Sequence, residues 1–82
     1  MHDQRNDPRS DASNRTDVAV LHMLLDSDLG APMSVVEVAR EMRSEVEALD
    51  SIARLHGAGL IHRCDEFVFA THAARYYRAI HN

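Results

Sequence analysis

Histidine and cysteine are the side chains of this sequence with the widest range of possible chemistry. His62 and Cys64 are two residues apart in a β-prone segment, so a strand there would place them on one face. His72 and His81 lie in the segment that follows, and imidazole and thiolate are ligands that zinc prefers. Their spacing matches none of the usual zinc patterns, however, so the sequence favours polar surface residues over a metal site.

Motifs of catalysis are missing from the sequence. There is no glycine-rich phosphate loop, no Gly-x-Ser-x-Gly and no His-Glu-x-x-His. A chain of 82 residues also has little room for a closed pocket. The sequence therefore predicts a protein that is not an enzyme and that needs no cofactor.

Charge is distributed unevenly along the chain, whose net charge is −4. Residues 15–50 contain three arginines and eight acidic residues, whereas residues 51–82 contain four arginines and two acidic residues. Four of the six histidines also lie after residue 50. The carboxy-terminal half is therefore the more basic one.

The first fourteen residues are almost all polar and include a proline. This composition predicts a disordered arm over residues 1–14, followed by a single domain over residues 15–82. The sequence has no apolar run long enough to span a membrane and no apolar signal-peptide core, and Cys64 has no second cysteine to pair with. These features predict a cytoplasmic protein that does not associate with membranes.

Two Ser-x-x-Glu capping boxes, Ser34 with Glu37 and Ser44 with Glu47, predict two helix starts ten residues apart. Apolar residues at helical spacing follow each box and predict the core side of each helix. These residues are Val35, Val38, Ala39 and Met42 in the first helix, and Val46, Leu49, Ile52 and Ala53 in the second. Two glycines then end the second helix, which is predicted over 45–56.

One helix is predicted before this pair of helices, and a hairpin and a last helix are predicted after it. An earlier helix, capped by Asn14 or Thr16 and ending near Asp28, has an apolar stripe that includes Val18 and Leu21. Residues 60–63 and 67–70 are β-prone and predict a two-stranded hairpin. Thr71 can cap a last helix, whose core side would carry Ala73, Ala74, Tyr77 and Ile80.

Three segments resemble the winged helix-turn-helix regulators of the MarR and ArsR type. They are V-x-x-L-x-x-I-x-x-L at 46–55, G-A-G-L-I-H-R at 57–63 and F-V-F-A-T-x-A-A-R-Y at 67–76. The resemblance covers roughly residues 16–81 and implies an α+β, mostly helical fold of three helices, a two-stranded wing and a carboxy-terminal helix. It also implies a bacterial transcriptional regulator that binds double-stranded DNA, with the helix 45–56 in the major groove.

This resemblance assigns DNA-contacting positions. The outward, base-reading positions would be Glu45, Glu47, Ala48 and Ser51, and the phosphate partners would be Arg40, Arg43, Arg54 and Arg63. In that family, the turn before the recognition helix and the wing are where such basic groups lie. Carboxylates on a recognition helix repel phosphates, so the sequence equally leaves open a winged-helix module that docks on a protein and does not bind DNA.

A homodimer is expected because a domain of this size buries only about 60% of the surface of its unfolded chain and is marginally stable alone. Tyr76, which is out of line with the core side of the last helix, is the main candidate for the interface. Leu21, Leu25 and Ile80 on the two terminal helices complete the predicted interface.

Overall fold

The computed structural model describes residues 8–27 and 31–81, and the side chains of residues 12–27 and 31–80. Its elements are α1 (Pro8–Leu25), β1 (Met33–Ser34), α2 (Val35–Met42), α3 (Glu45–Gly57), β2 (Ile61–Cys64), β3 (Phe67–Ala70) and α4 (His72–His81). The fold is α+β and mostly helical, as the sequence predicted.

The three strands form one antiparallel sheet in the order β1-β3-β2. β2 and β3 form the predicted hairpin, which pairs Ile61 with Ala70 and Cys64 with Phe67 around a two-residue turn. The predicted strand count is wrong, because Met33 and Ser34 pair with Val68 and Phe67 and add a third strand. A strand of two residues is too short to carry an alternating pattern, so no periodicity in the sequence indicates it.

Both predicted helix starts after β1 are confirmed. Ser34 and Ser44 have extended backbones and accept hydrogen bonds from the amides of Glu37 and Glu47, at 3.1 and 3.2 Å. These bonds satisfy amides that the first turn of a helix leaves without a partner. The caps therefore fix where α2 and α3 begin.

The start of α1 differs from the prediction. The helix begins at Pro8, and residues 8–14, expected to be part of a disordered arm, are helical; residues 1–7 and the expected helix end at Asp28 lie outside the described residues. Thr16, a predicted cap, is inside the helix, where its hydroxyl donates to the carbonyl of Ala12 at 3.0 Å. A proline is well tolerated in the first turn, where no intrahelical partner for its amide exists.

No helix in the described part of the chain combines the length and the apolarity that crossing a bilayer requires.

The core lies between α1, α3 and the sheet, with contributions from α2 and α4. Its largest fully buried apolar side chains come from three helices and the hairpin: Val20 and Leu24 of α1, Val38 of α2, Ile52 of α3, Ile61 of β2 and Val68 of β3. Six residues predicted on core sides are exposed instead, namely Val18, Val46, Ala53, Ala73, Tyr77 and Ile80. Each lies at the edge of its apolar stripe, where sequence spacing alone does not determine which flank meets the core.

Thr71 connects the hairpin, α4 and the end of α3. Its hydroxyl accepts from the amide of Ala74 at 3.2 Å, which confirms the predicted cap of α4. The same hydroxyl donates to the carbonyl of Gly59 at 2.9 Å, and Gly59 has the positive φ of +78° that suits glycine. This buried threonine therefore holds α4 against the loop that follows α3.

Ser44→Ala removes the cap of α3 and is expected to lower the free energy of unfolding by about 0.5–2 kcal/mol. Ser44→Asp keeps a capping oxygen and is expected to retain most of the native stability. Chemical denaturation of the three proteins measures both effects. Equal stability of the alanine and aspartate variants would show that this cap does not stabilise α3.

Candidate nucleic-acid interface

The connection between α2 and α3 is very short. Arg43 alone separates the last residue of α2 from the cap of α3, and it takes a left-handed conformation with φ of +60°. Its amide donates to the carbonyl of Arg40 at 3.3 Å, and both arginine side chains are exposed. The turn thus presents two guanidinium groups to solvent beside the start of α3.

The exposed face at the start of α3 is acidic. Glu45, Glu47 and Asp50 are exposed, together with Val46, whose side chain is 69% exposed. A carboxylate can accept from the amino group of cytosine, but it repels the phosphates on either side. Within this face, Val46 is the side chain suited to an apolar contact such as a thymine methyl group.

Two of the predicted base-reading residues do not face outward. Ala48 and Ser51 are fully buried, and they lie with Ile52 and Leu55 on the side of α3 that meets the core. The spacing of these four positions is that of one helical face, so residues 48 and 51 share the phase of the apolar residues. The prediction that Ala48 and Ser51 contact bases is therefore wrong, because both side chains face the core.

A hydrogen-bonded cluster of Asp17, Ser51 and Arg54 links α1 to α3. The buried Ser51 hydroxyl donates to Oδ1 of Asp17 at 2.6 Å. Two nitrogens of Arg54 donate hydrogen bonds to the same carboxylate: Nη2 lies 2.9 Å from Oδ1, and Nε lies 3.0 Å from Oδ2. A planar guanidinium on a carboxylate in this paired arrangement is the geometrically most specific form of ion pair.

The cluster changes the role of Arg54. Its hydrogen bond to Asp17 raises the pKa of the guanidinium above its ordinary value, and the charges of Asp17 and Asp50 add to this. Arg54 was predicted to contact phosphate, but its charge is already partly neutralised by a carboxylate. Its evident contribution in this structure is to hold α1 against α3.

The β2–β3 hairpin, the predicted wing, carries one exposed arginine close to its tip. Arg63 lies on β2, and its Nε donates to the carbonyl of Asp65 at 3.4 Å. Asp65 and Glu66 form the turn, with Asp65 at a φ of +55°, and both are exposed. The described residues therefore present the three predicted arginines that Asp17 does not hold, Arg40, Arg43 and Arg63, at the turn and on the wing.

The candidate metal ligands are not gathered into one site. No group of three or more histidine, cysteine or acidic side chains in the described part of the chain is arranged to hold a metal ion. His62 packs on Phe69 with ring centroids 5.2 Å apart, and Cys64 is exposed on the same strand. The side chain of His81 lies outside the described residues.

An open apolar groove of about 440 Å³ runs between α1, the end of α3 and α4. This groove could not be predicted from the sequence, because its walls come from three separate helices and a loop. Its apolar lining consists of Val18, Leu21, Leu55, Ala58, Leu60 and Tyr77, and Asn14, Asp17 and Arg54 lie at its polar end.

Of the predicted interface residues, Leu21 lines this groove. Tyr76 and Ile80 on α4 are 68% and 60% exposed, whereas Leu21 and Leu25 on α1 are half-buried. Arg78 of α4 reaches back to α1 and pairs with Asp26 at 2.6 Å. The terminal helices are therefore held together while leaving large apolar side chains on their outer surface.

Comparison of the chain with protein-family models, with curated proteins and with solved structures gave no significant match.

A double-mutant cycle on Asp17 and Arg54 measures how strongly this pair stabilises the fold. Substituting each by alanine, alone and together, is expected to give a coupling of roughly 0.5–1 kcal/mol, at the upper end for a partly exposed pair because two nitrogens engage the carboxylate. The matched control is Asp26 with Arg78, which joins the same helix to α4 with a more exposed carboxylate. Its coupling should be smaller, and equal couplings in denaturant unfolding would contradict the proposed role of Arg54.

Proposed function

We propose that this chain is a winged helix-turn-helix protein that binds double-stranded DNA as a transcriptional regulator. The observation that carries the proposal is the arrangement of its elements: two helices joined by a tight turn are followed directly by a β2–β3 hairpin. A strand before the helix pair closes the sheet in the order β1-β3-β2. This arrangement leaves α3 with an exposed face and the hairpin with an exposed tip, the two parts that such a domain applies to DNA.

The charges of the described residues favour contact with the DNA backbone over base reading. Arg43 at the turn and Arg63 on the wing are exposed, and Arg40 lies one turn of helix before Arg43. Phosphate contacts set register and affinity but carry no sequence information. With Ala48 and Ser51 buried, Val46 and the carboxylates remain for base contacts, so we expect binding with little sequence preference.

The acidic face of α3 supports a second candidate function, docking on another protein. Glu45, Glu47 and Asp50 surround the exposed Val46, and Arg54 is engaged by Asp17. An apolar side chain ringed by carboxylates suits a partner with an apolar pocket and a basic rim. In this function the arginines at the turn and on the wing would have no phosphate to bind.

Salt dependence of DNA binding tests the first function. If Arg40, Arg43 and Arg63 each neutralise one phosphate, the slope of log affinity against log salt should be about −2.7, since each contact contributes about −0.9. Arg43→Ala or Arg63→Ala should flatten the slope by about one. Arg78→Ala removes the same charge from the pair with Asp26 and should leave the slope unchanged.

The triple variant Glu45/Glu47/Asp50→Ala separates the two functions. Under the DNA function, native protein binds mixed duplex DNA at low salt and the triple variant binds more tightly, because repulsion is removed. Under the docking function, native protein shows no binding at low salt and only the variant binds. The second result would contradict the DNA-binding function and support docking on another protein.

We also propose that the protein is a homodimer formed through its terminal helices. The support is the large apolar surface that α1 and α4 leave exposed, with Val18, Tyr76, Tyr77 and Ile80 all more than half exposed. Monomers rarely leave a contiguous apolar patch of this kind uncovered. Two of these four side chains are tyrosines, which agrees with the enrichment of aromatic residues in interfaces.

Tyr76→Glu should shift the protein towards monomer, because the patch would then have to bury a charge without a partner. Sedimentation at micromolar concentration is expected to give a dimer for the native protein and a smaller species for the variant. Phe67→Glu, which places the same charge on the half-exposed Phe67 of β3, is the control and should remain dimeric. A native protein that stays monomeric at high concentration would contradict dimerisation altogether.

A further inference from the structure

The apolar groove between α1, α3 and α4 has an acidic flank. Asp17 and Arg54 lie at its polar end, and Arg54 also borders a second hollow that Glu47 and Asp50 line. These four side chains carry three negative charges and one positive charge. On the far side of Val18, Arg15 adds one positive charge. The groove is thus mostly apolar with one ion pair at its polar end, and the net negative charge lies in the adjoining hollow, where Glu47 and Asp50 stand beside an arginine that Asp17 already engages.

α4 has the opposite character on its outer surface. Tyr76 and Ile80 are four residues apart, so they lie on one face of the helix and form an exposed apolar ridge. Arg75, directly before Tyr76, is exposed and adds a positive charge beside this ridge. No acidic residue occurs in α4. An apolar ridge with a basic edge is therefore complementary to an apolar groove with an acidic edge.

The groove and the ridge are both present on every copy of the chain. A two-fold symmetric dimer can bring the ridge of each copy to the groove of the other, which forms the same contact twice. We propose that the groove is occupied by α4 of a second copy, with Tyr76 and Ile80 against its apolar lining and Arg75 facing Asp50. This proposal rests on the proposed homodimer and adds to it the groove, the occupant and the charge pair.

Charge exchange between copies tests the contact. Arg75→Glu alone places a carboxylate opposite Asp50 at both contacts, and Asp50→Arg alone places two guanidinium groups opposite each other. Each single variant should dissociate at a concentration at least about tenfold higher than the native dimer, because like charges across an interface are strongly unfavourable. An equal mixture of the two variants has opposite charges at both contacts and should recover native-like association as a heterodimer.

Sedimentation of the full chain, with one variant fluorescently labelled, measures these equilibria, and circular dichroism verifies the fold of each variant. Glu41→Arg makes the same charge change as Asp50→Arg at an exposed position of α2 and should leave the dimer intact. The double variant Arg75→Glu/Asp50→Arg should also associate like the native protein.

The outcomes separate the contact from dimerisation itself. A native dimer whose mass is unaffected by either single variant would overturn the groove contact and leave a dimer of another geometry. Single variants that both dissociate but do not recover on mixing would also overturn it, because repulsion would then not arise between these two residues. A native monomer would overturn both proposals.

Discussion

The short connection between α2 and α3 is the constraint on which the rest of the structure depends. One left-handed residue, Arg43, separates the last residue of α2 from Ser44, the cap of α3, so α3 begins within three residues of the end of α2. This fixes the phase of the helix: Ala48, Ser51 and Leu55 face the core. The surface that α3 offers to any partner is therefore decided at the turn, before the exposed residues are considered.

Burial of Ser51 has consequences beyond α3. A buried hydroxyl without a hydrogen-bond partner is costly, and Asp17 of α1 provides the acceptor. A carboxylate in this half-buried position in turn favours a cation, which Arg54 provides from the next turn of α3. One polar residue inside the core thus accounts for a hydrogen-bonded link between α1 and α3, beside the burial of Val20 and Leu24, and for the engagement of an arginine that would otherwise be available to a ligand.

Features encoded by adjacent residues could be predicted from the sequence, whereas those set by distant contacts could not. The caps at Ser34, Ser44 and Thr71 need partners only three residues away, and the β2–β3 hairpin needs two neighbouring β-prone runs. The pairing of β1 depends on a strand more than thirty residues later in the chain. The Ser51–Asp17 hydrogen bond and the Asp17–Arg54 pair likewise depend on how α1 packs on α3, which no local pattern records.

The acidity of α3 also has a cause within the fold. Glu45 and Glu47 lie in the first turn, where a negative charge stabilises the helix by about 0.3–1 kcal/mol each through the helix dipole. Asp50 lies four residues before Arg54 and contributes to raising the pKa of that guanidinium, as expected for neighbours on one helical face. Each carboxylate thus has a favourable electrostatic interaction within the isolated domain. The acidic face therefore does not by itself require a basic protein partner. In the proposed DNA complex these carboxylates would repel phosphates near α3, whereas Arg43 at the turn and Arg63 on the β2–β3 hairpin are exposed.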